Sequence, residues 1–186
     1  MNALNLANKI SIARIILIPF FVAAVIYGRH DIALIVFGLA AVSDGLDGFI
    51  ARTFRQKTAL GMVLDPVADK LLLVTAYVLL AMTSNLPAAL RLPPYVPIVV
   101  ISRDVIIVLG SVIVYLMKGD LQVSPSILGK VTTFLQMVTI VSVLLYFRYS
   151  WVLWNVTVLF TVISGIDYIR RGAHLLGDAH PRATKG

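Results

Sequence analysis

Residues Ile32–Arg52 read IALIVFGLAAVSDGLDGFIAR, an apolar run with two aspartates set into its second half. At 1.5 Å per residue a helix of this length covers roughly 30 Å, the thickness of a bilayer's hydrocarbon. An aspartate near the centre of such a helix costs about 2.5–3.5 kcal/mol on insertion scales, and carboxylates kept there are functional by default. The stretch therefore sets two expectations: a helix inside a membrane, and a chemical reason for Asp44 and Asp47.

Five more apolar runs flank it, at Ile10–Tyr27, Leu60–Met82, Val96–Met117, Ile127–Phe147 and Trp151–Tyr168. Each is near the ~20 residues a crossing helix needs, and none alternates as a barrel strand would. The whole chain agrees: 59% of its 186 residues are hydrophobic, 13% are charged, and mean hydropathy is +0.93. Soluble domains carry about 25% charged residues. The expected fold is all-α and integral to a membrane, with six transmembrane helices. Residues 1–175 form a single domain and 176–186 a disordered tail.

Charge sets the orientation. Lys9, Arg14, Arg52, Arg55, Lys57, Lys118, Lys130, Arg170, Arg171, Arg182 and Lys185 fall on one side of six alternating spans; Arg29, Arg91 and Arg148 fall on the other. Lys and Arg collect on cytoplasmic loops, so both termini and the 52–59 loop are placed in the cytoplasm. No small-x-small cleavage site follows the first run, which reads as an uncleaved helix. The net charge of +7 then belongs to membrane edges and phosphorylated ligands rather than to nucleic acid. Tyr146, Phe147, Tyr149, Trp151 and Trp154 form an aromatic belt at the far interface.

The chain has nine Asp, no Glu and no Cys. Thiolate metal sites are excluded, and an oxygen-ligand site suits Mg²⁺ or Mn²⁺ better than zinc. Asp44, Asp47, Gly48 and Ala51 recur at helical spacing on one face, as do Gly61, Asp65 and Asp69 on the next run. A short basic loop joins the two runs, so the faces can converge. Four carboxylates repel one another unless cations enter, and two divalent ions would balance them. Two other readings compete: a juxtamembrane salt-bridge cluster with Arg52, Arg55, Lys57 and Lys70, and cation coordination along a transport path. Small residues on the carboxylate faces leave room for a bulky ligand, and Arg52 can fork onto phosphate oxygens. Together these describe a diphosphate site.

Asp44-x-x-Asp47-Gly48-x-x-Ala51-Arg52, eight residues, then Gly61-x-x-x-Asp65-x-x-x-Asp69 resembles the signature of the CDP-alcohol phosphatidyltransferases at every defined position. The resemblance implies transfer of a phosphatidyl or similar group from a CDP-linked lipid to an alcohol, release of CMP, use of two Mg²⁺ or Mn²⁺ ions, and a homodimer. It implies Asp44, Asp47, Asp65 and Asp69 as metal ligands, with Asp69 also the general base. Asp44, Gly48, Ala51, Arg52 and Gly61 would hold or admit the CDP-lipid. Asn8, Ser11 and Arg14 resemble an Asn-x-x-Thr-x-x-Arg pattern of bacterial members, which adds Asn8 and Ser11 to that list. A bacterial inner membrane with a cytoplasm-facing site is the implied setting.

The acceptor is read from the second half of the chain. Arg103-Asp104 lies inside the fourth run, and Ser126, Lys130, Thr133 and Gln136 open the fifth. Arg103, Ser126 and Lys130 are the candidate acceptor-phosphate residues; the plainer alternative pairs Arg103 with Asp104 and lets Lys130 snorkel to the interface. Ser-x-x-x-Lys-x-x-Thr-x-x-Gln looks like the phosphatidylglycerophosphate synthase branch, whose acceptor is glycerol 3-phosphate. That branch has Glu where this chain has Asp104. Arg-Asp with Pro125-Ser126 and Lys130 also resembles the cardiolipin synthases, which use phosphatidylglycerol.

Overall fold

The computed structural model describes the backbone of residues 6–53, 59–118 and 126–177, and the side chains of 12–43, 67–112, 116 and 126–173. These residues form six helices: α1 (Leu6–Ile26), α2 (His30–Thr53), α3 (Ala59–Met82), α4 (Tyr95–Lys118), α5 (Ile127–Leu144) and α6 (Ser150–Gly177). Each of the six runs read from hydropathy is a helix. Pro97 sits in the first turn of α4, where the missing N–H interrupts no intrahelical bond.

Two connections end alike. Gly28 takes φ +69° after α1; its N–H reaches the Val25 carbonyl at 3.1 Å and that of Arg29 the Ala24 carbonyl at 2.8 Å. This is a Schellman close, and glycine suits its left-handed position. After α5 the same pair of bonds recurs, Tyr146 to Val143 at 3.1 Å and Phe147 to Ser142 at 2.9 Å. Here the left-handed residue is Tyr146, at φ 55°. A side chain with Cβ pays about 1–2 kcal/mol for that conformation. Its hydroxyl meets His30 Nδ1 at 2.6 Å, tying the α5–α6 joint to the start of α2. Asn85, in the α3–α4 connection, donates to the Ile26 carbonyl at 2.7 Å and so satisfies an end of α1.

α1 packs against α2 and α3, and α6 against α4 and α5; lesser contacts of α3 with α4 and α5, and of α2 with α5, join the halves. The apolar core is drawn from the later parts of α1, α3 and α5 (Phe21, Val25, Tyr77, Leu80, Ile140, Leu144) and from the earlier parts of α2, α4 and α6 (Phe37, Val96, Val100, Trp154). Only helices alternating in direction bring those parts together, so the bundle runs up and down, with the described core residues toward one end. Outward faces carry Ile16, Phe20, Ile35, Leu39, Val108, Leu109, Phe134 and Ile163, all exposed. Water would not tolerate an apolar surface this extensive on a monomer.

Tyr95–Val112, Ile127–Leu144 and Ser150–Ala173 are each long and apolar enough to cross a membrane; Ile12–Ile26 and His30–Ser43 are shorter apolar stretches among the described residues. Between α5 and α6 runs a seam of hydroxyls. Thr139 and Thr157 bond each other at 2.7 Å, and Thr132, Thr157 and Thr161 reach backbone carbonyls. Such bonds hold membrane helices together where burial of apolar surface supplies no drive.

Candidate active site

The end of the bundle opposite the apolar core holds the polar chemistry. Positions 44, 47, 48, 51 and 52 lie in the last part of α2, positions 61, 65 and 69 in the first part of α3, and positions 8 and 11 in the opening turns of α1. Unbroken helix through Thr53 and from Ala59 preserves the spacings that put each aspartate set on one face. Asp69 has a described side chain; those of Asn8, Ser11, Asp44, Asp47, Gly48, Ala51, Arg52, Gly61 and Asp65 lie outside the described residues.

Asp69 is paired with Arg14 of α1. Arg14 is fully buried, whereas the Asp69 side chain keeps 28% of its surface. A buried guanidinium needs such a partner, because an isolated charge in low dielectric is expensive. Sequence spacing associated Arg14 with Asn8 and Ser11 near the nucleotide; the structure sets it against the fourth aspartate.

Lys70, next to Asp69 in the chain, borders a cavity of about 530 Å³ enclosed by α3, α4, α5 and α6. Arg103, Ser126 and Lys130, selected from sequence as acceptor residues, all line it. Ser126 caps α5, accepting from the Gly129 N–H at 3.0 Å, which orients its hydroxyl at a helix N-terminus. Arg103 spends one nitrogen on Asp104 Oδ1 and another on Ser164 Oγ, each at 2.9 Å. Its Nε has no partner among the described residues. A Cβ at position 129 would lie 3.1 Å from Arg103 Nη2 and 3.3 Å from Ser126 Oγ, so Gly129 is where α5 yields space to the arginine.

Other lining residues escaped the sequence reading. Lys70 lines the same cavity and meets Asp104 Oδ2 at 2.6 Å. From α6 come Ser164, Asp167, Tyr168 and Arg171. Arg171 is held one turn along by Asp167 at 3.0 Å; Tyr168 bonds Ser111 at 2.7 Å and the Ile107 carbonyl at 3.0 Å. The i, i+4 spacing of Asp167 and Arg171 was a readable signal that the helix continues, but nothing in the sequence aims it at this cavity. The described lining residues include four cations, Lys70, Arg103, Lys130 and Arg171, and one carboxylate, Asp167. That surplus of positive charge, fenced by apolar helices, attracts anions and strengthens each contact with them.

The family model described as CDP-alcohol phosphatidyltransferase matches residues 4–163. The chain is 33% identical to the CDP-diacylglycerol–glycerol-3-phosphate 3-phosphatidyltransferase of Bacillus subtilis, over 90% of this chain and 94% of that one. It is 36% identical to the protein of the same name from Escherichia coli, over 81% and 78%. It is 31% identical to the human cardiolipin synthase (CMP-forming), over 92% of this chain and 62% of the human one. With the match extending through the aspartate-bearing helices and on to the cavity, the chain belongs to the CDP-alcohol phosphatidyltransferase family of enzymes.

Proposed function

We propose that the protein transfers the phosphatidyl group of CDP-diacylglycerol to glycerol 3-phosphate, giving phosphatidylglycerophosphate and CMP. The observation that carries this reading is the cavity lined by Lys70, the chain neighbour of Asp69, whose described lining holds four cations and one carboxylate. A phosphate monoester brings up to two negative charges and fits that surplus. Phosphatidylglycerol, the acceptor of the second reading, presents a neutral glycerol end and a single diester charge.

The donor set suits divalent metal. Asp44, Asp47 and Asp65 would ligate together with Asp69, which is paired with Arg14 and keeps 28% of its side-chain surface. Hard ions of the Mg²⁺ or Mn²⁺ type seek such oxygens. Two of them would neutralise the diphosphate and stabilise the departing CMP. Gly48, Ala51 and Gly61 leave room for the CDP head, Arg52 forks onto its phosphates, and Asn8 and Ser11 lie nearby.

In the reaction, Arg103, Lys130 and Ser126 hold the acceptor's phosphate so that its free hydroxyl points to the aspartates. Asp69 takes the hydroxyl proton. The hydroxyl oxygen bonds to the phosphatidyl phosphorus as the bond from that phosphorus to the CMP oxygen breaks. Positioning does much of the work, since a fixed hydroxyl attacks without the entropy cost of encounter.

The same reading includes six membrane crossings, both termini and the 52–59 loop in the cytoplasm, a bacterial inner membrane, a single domain over 1–175 and a homodimer. A cation transporter, the reading from another class, would need polar groups along a continuous path. The hydroxyl seam of α5 and α6 is instead occupied with its own helices.

The test is release of CMP by purified protein given CDP-diacylglycerol and Mg²⁺ with glycerol 3-phosphate, phosphatidylglycerol, inositol phosphate or serine. Turnover with glycerol 3-phosphate supports the proposal. Turnover with phosphatidylglycerol alone replaces it with the cardiolipin reading, and no CMP with any acceptor removes both.

A further inference from the structure

We propose that Asp104 is a positioning residue that aims two cations, Arg103 and Lys70, at the phosphorylated acceptor; the proposal rests on the functional reading above. Asp104 is 7% exposed, and its two oxygens serve different helices. Oδ1 takes Arg103 of its own helix at 2.9 Å, and Oδ2 meets Lys70 of α3 at 2.6 Å. Arg103 continues the chain of contacts to Ser164 of α6, and Gly129 of α5 makes room for its guanidinium. Four helices thus meet around the Arg103–Asp104 pair.

The placement of that carboxylate gives it its role. Asp104 does not line the 530 Å³ cavity; it lines a separate apolar groove of about 240 Å³ with Val74, Ile101, Val105, Val108 and Leu109. Lys70 lines both. The negative charge therefore sits behind the two cations, away from an incoming anion, while the cations face it. Without the carboxylate, Arg103 and Lys70 would repel each other from a shared corner, and neither would keep a fixed direction. Lys70 also follows Asp69 directly in the chain. Fixing Lys70 to α4 fixes the register between the acceptor cavity and the helix that carries the base.

Steady-state kinetics of the full-length enzyme with CDP-diacylglycerol, Mg²⁺ and glycerol 3-phosphate, with melting followed in the same detergent, supply the test. Asp104→Asn is expected to raise KM for glycerol 3-phosphate about tenfold or more, the range for losing a charged hydrogen-bond partner. KM for CDP-diacylglycerol should stay unchanged, and Asp104→Glu should recover most of the loss. The double variant Asp104→Asn with Arg103→Lys should lose less than the two singles combined, because both act through one contact. Equal rises in both KM values, or a drop in melting temperature with both KM values intact, overturns the proposal. Should Asp104→Asn fail to fold, Ser164→Ala loosens the same arginine; several-fold weaker acceptor binding is then expected, and a wild-type KM refutes the role. If wild-type enzyme ignores glycerol 3-phosphate, the functional reading fails by itself, and the same KM comparison is made with whichever acceptor it uses.

Discussion

Arg14 of α1 and Asp69 of α3 form an ion pair whose guanidinium is wholly buried, so the first helix reaches the fourth aspartate directly. Removing one member of a buried pair costs roughly 3–5 kcal/mol when the other is left without compensation. Arg14→Ala should therefore lower both stability and turnover, and Arg14→Lys should restore more of the first than of the second. Melting and CMP release, measured side by side, distinguish the two.

Asp69→Asn keeps the volume and a hydrogen-bonding oxygen beside Arg14 but removes the base. Turnover should fall at least 10²-fold, in the range expected for losing a positioned acid–base group, when assayed well below a melting temperature that also drops because buried Arg14 loses this charge. Retained activity would take Asp69 out of the base role.

Metal dependence offers an independent check on the aspartates. Exhaustive chelation should abolish CMP release, and Mg²⁺ or Mn²⁺ should restore it, whereas Asp44→Asn, Asp47→Asn or Asp65→Asn should resist restoration. Full activity after chelation would leave the four carboxylates without the proposed ligand.

Gly129→Ala places a methyl 3.1 Å from Arg103 Nη2 and 3.3 Å from Ser126 Oγ. Both are candidate acceptor contacts, and α5 itself loses nothing by gaining an alanine. The expected outcome is a several-fold higher KM for glycerol 3-phosphate with an unchanged CDP-diacylglycerol KM. Gly110→Ala differs: its methyl would meet the Tyr168 ring at 2.8 Å, an overpacking that costs about 1–3 kcal/mol and should appear first as a lower melting temperature.

At the far end, His30 precedes the apolar run that begins at Ile32, and its Nδ1 bonds the Tyr146 hydroxyl. Burial pushes this imidazole below its usual value, partly countered by the Asp31 carboxylate. The unfolded chain thus takes up the proton first as pH falls through about 6.5. Its stabilising contribution is present above that value and declines below it, until the folded imidazole also protonates. Melting temperature should drop between pH 7 and 5, and His30→Gln should flatten that part of the profile.

Six helices were legible because hydropathy is a local property, and each run was long enough to need one. The ends were less legible where other physics decides. α5 stops at Leu144 rather than Phe147 because Tyr146 adopts a conformation usually announced by glycine. α6 passes Tyr168 to reach Gly177 because the Asp167–Arg171 pair supports further turns that an apolar count does not register. Arg103, Ser126 and Lys130 could be selected as a group from residue type alone. The plain alternative for Arg103, a bond to Asp104, is present in the structure, and the same arginine lines the cavity. Lys70 was set among possible partners for the aspartates; its path across to α4 depends on helix packing that no spacing encodes.

The division of the bundle into α1–α3 and α4–α6 has a practical corollary for protein engineering. The four motif aspartates fall in one half, and all but one of the described cavity-lining residues fall in the other. Lys70 is the exception, and its counterpart across the seam is Asp104. Chimeras that exchange α4–α6 as a block, with positions 70 and 104 matched, offer a route to redirecting the enzyme toward new alcohols while its cleavage chemistry is inherited intact.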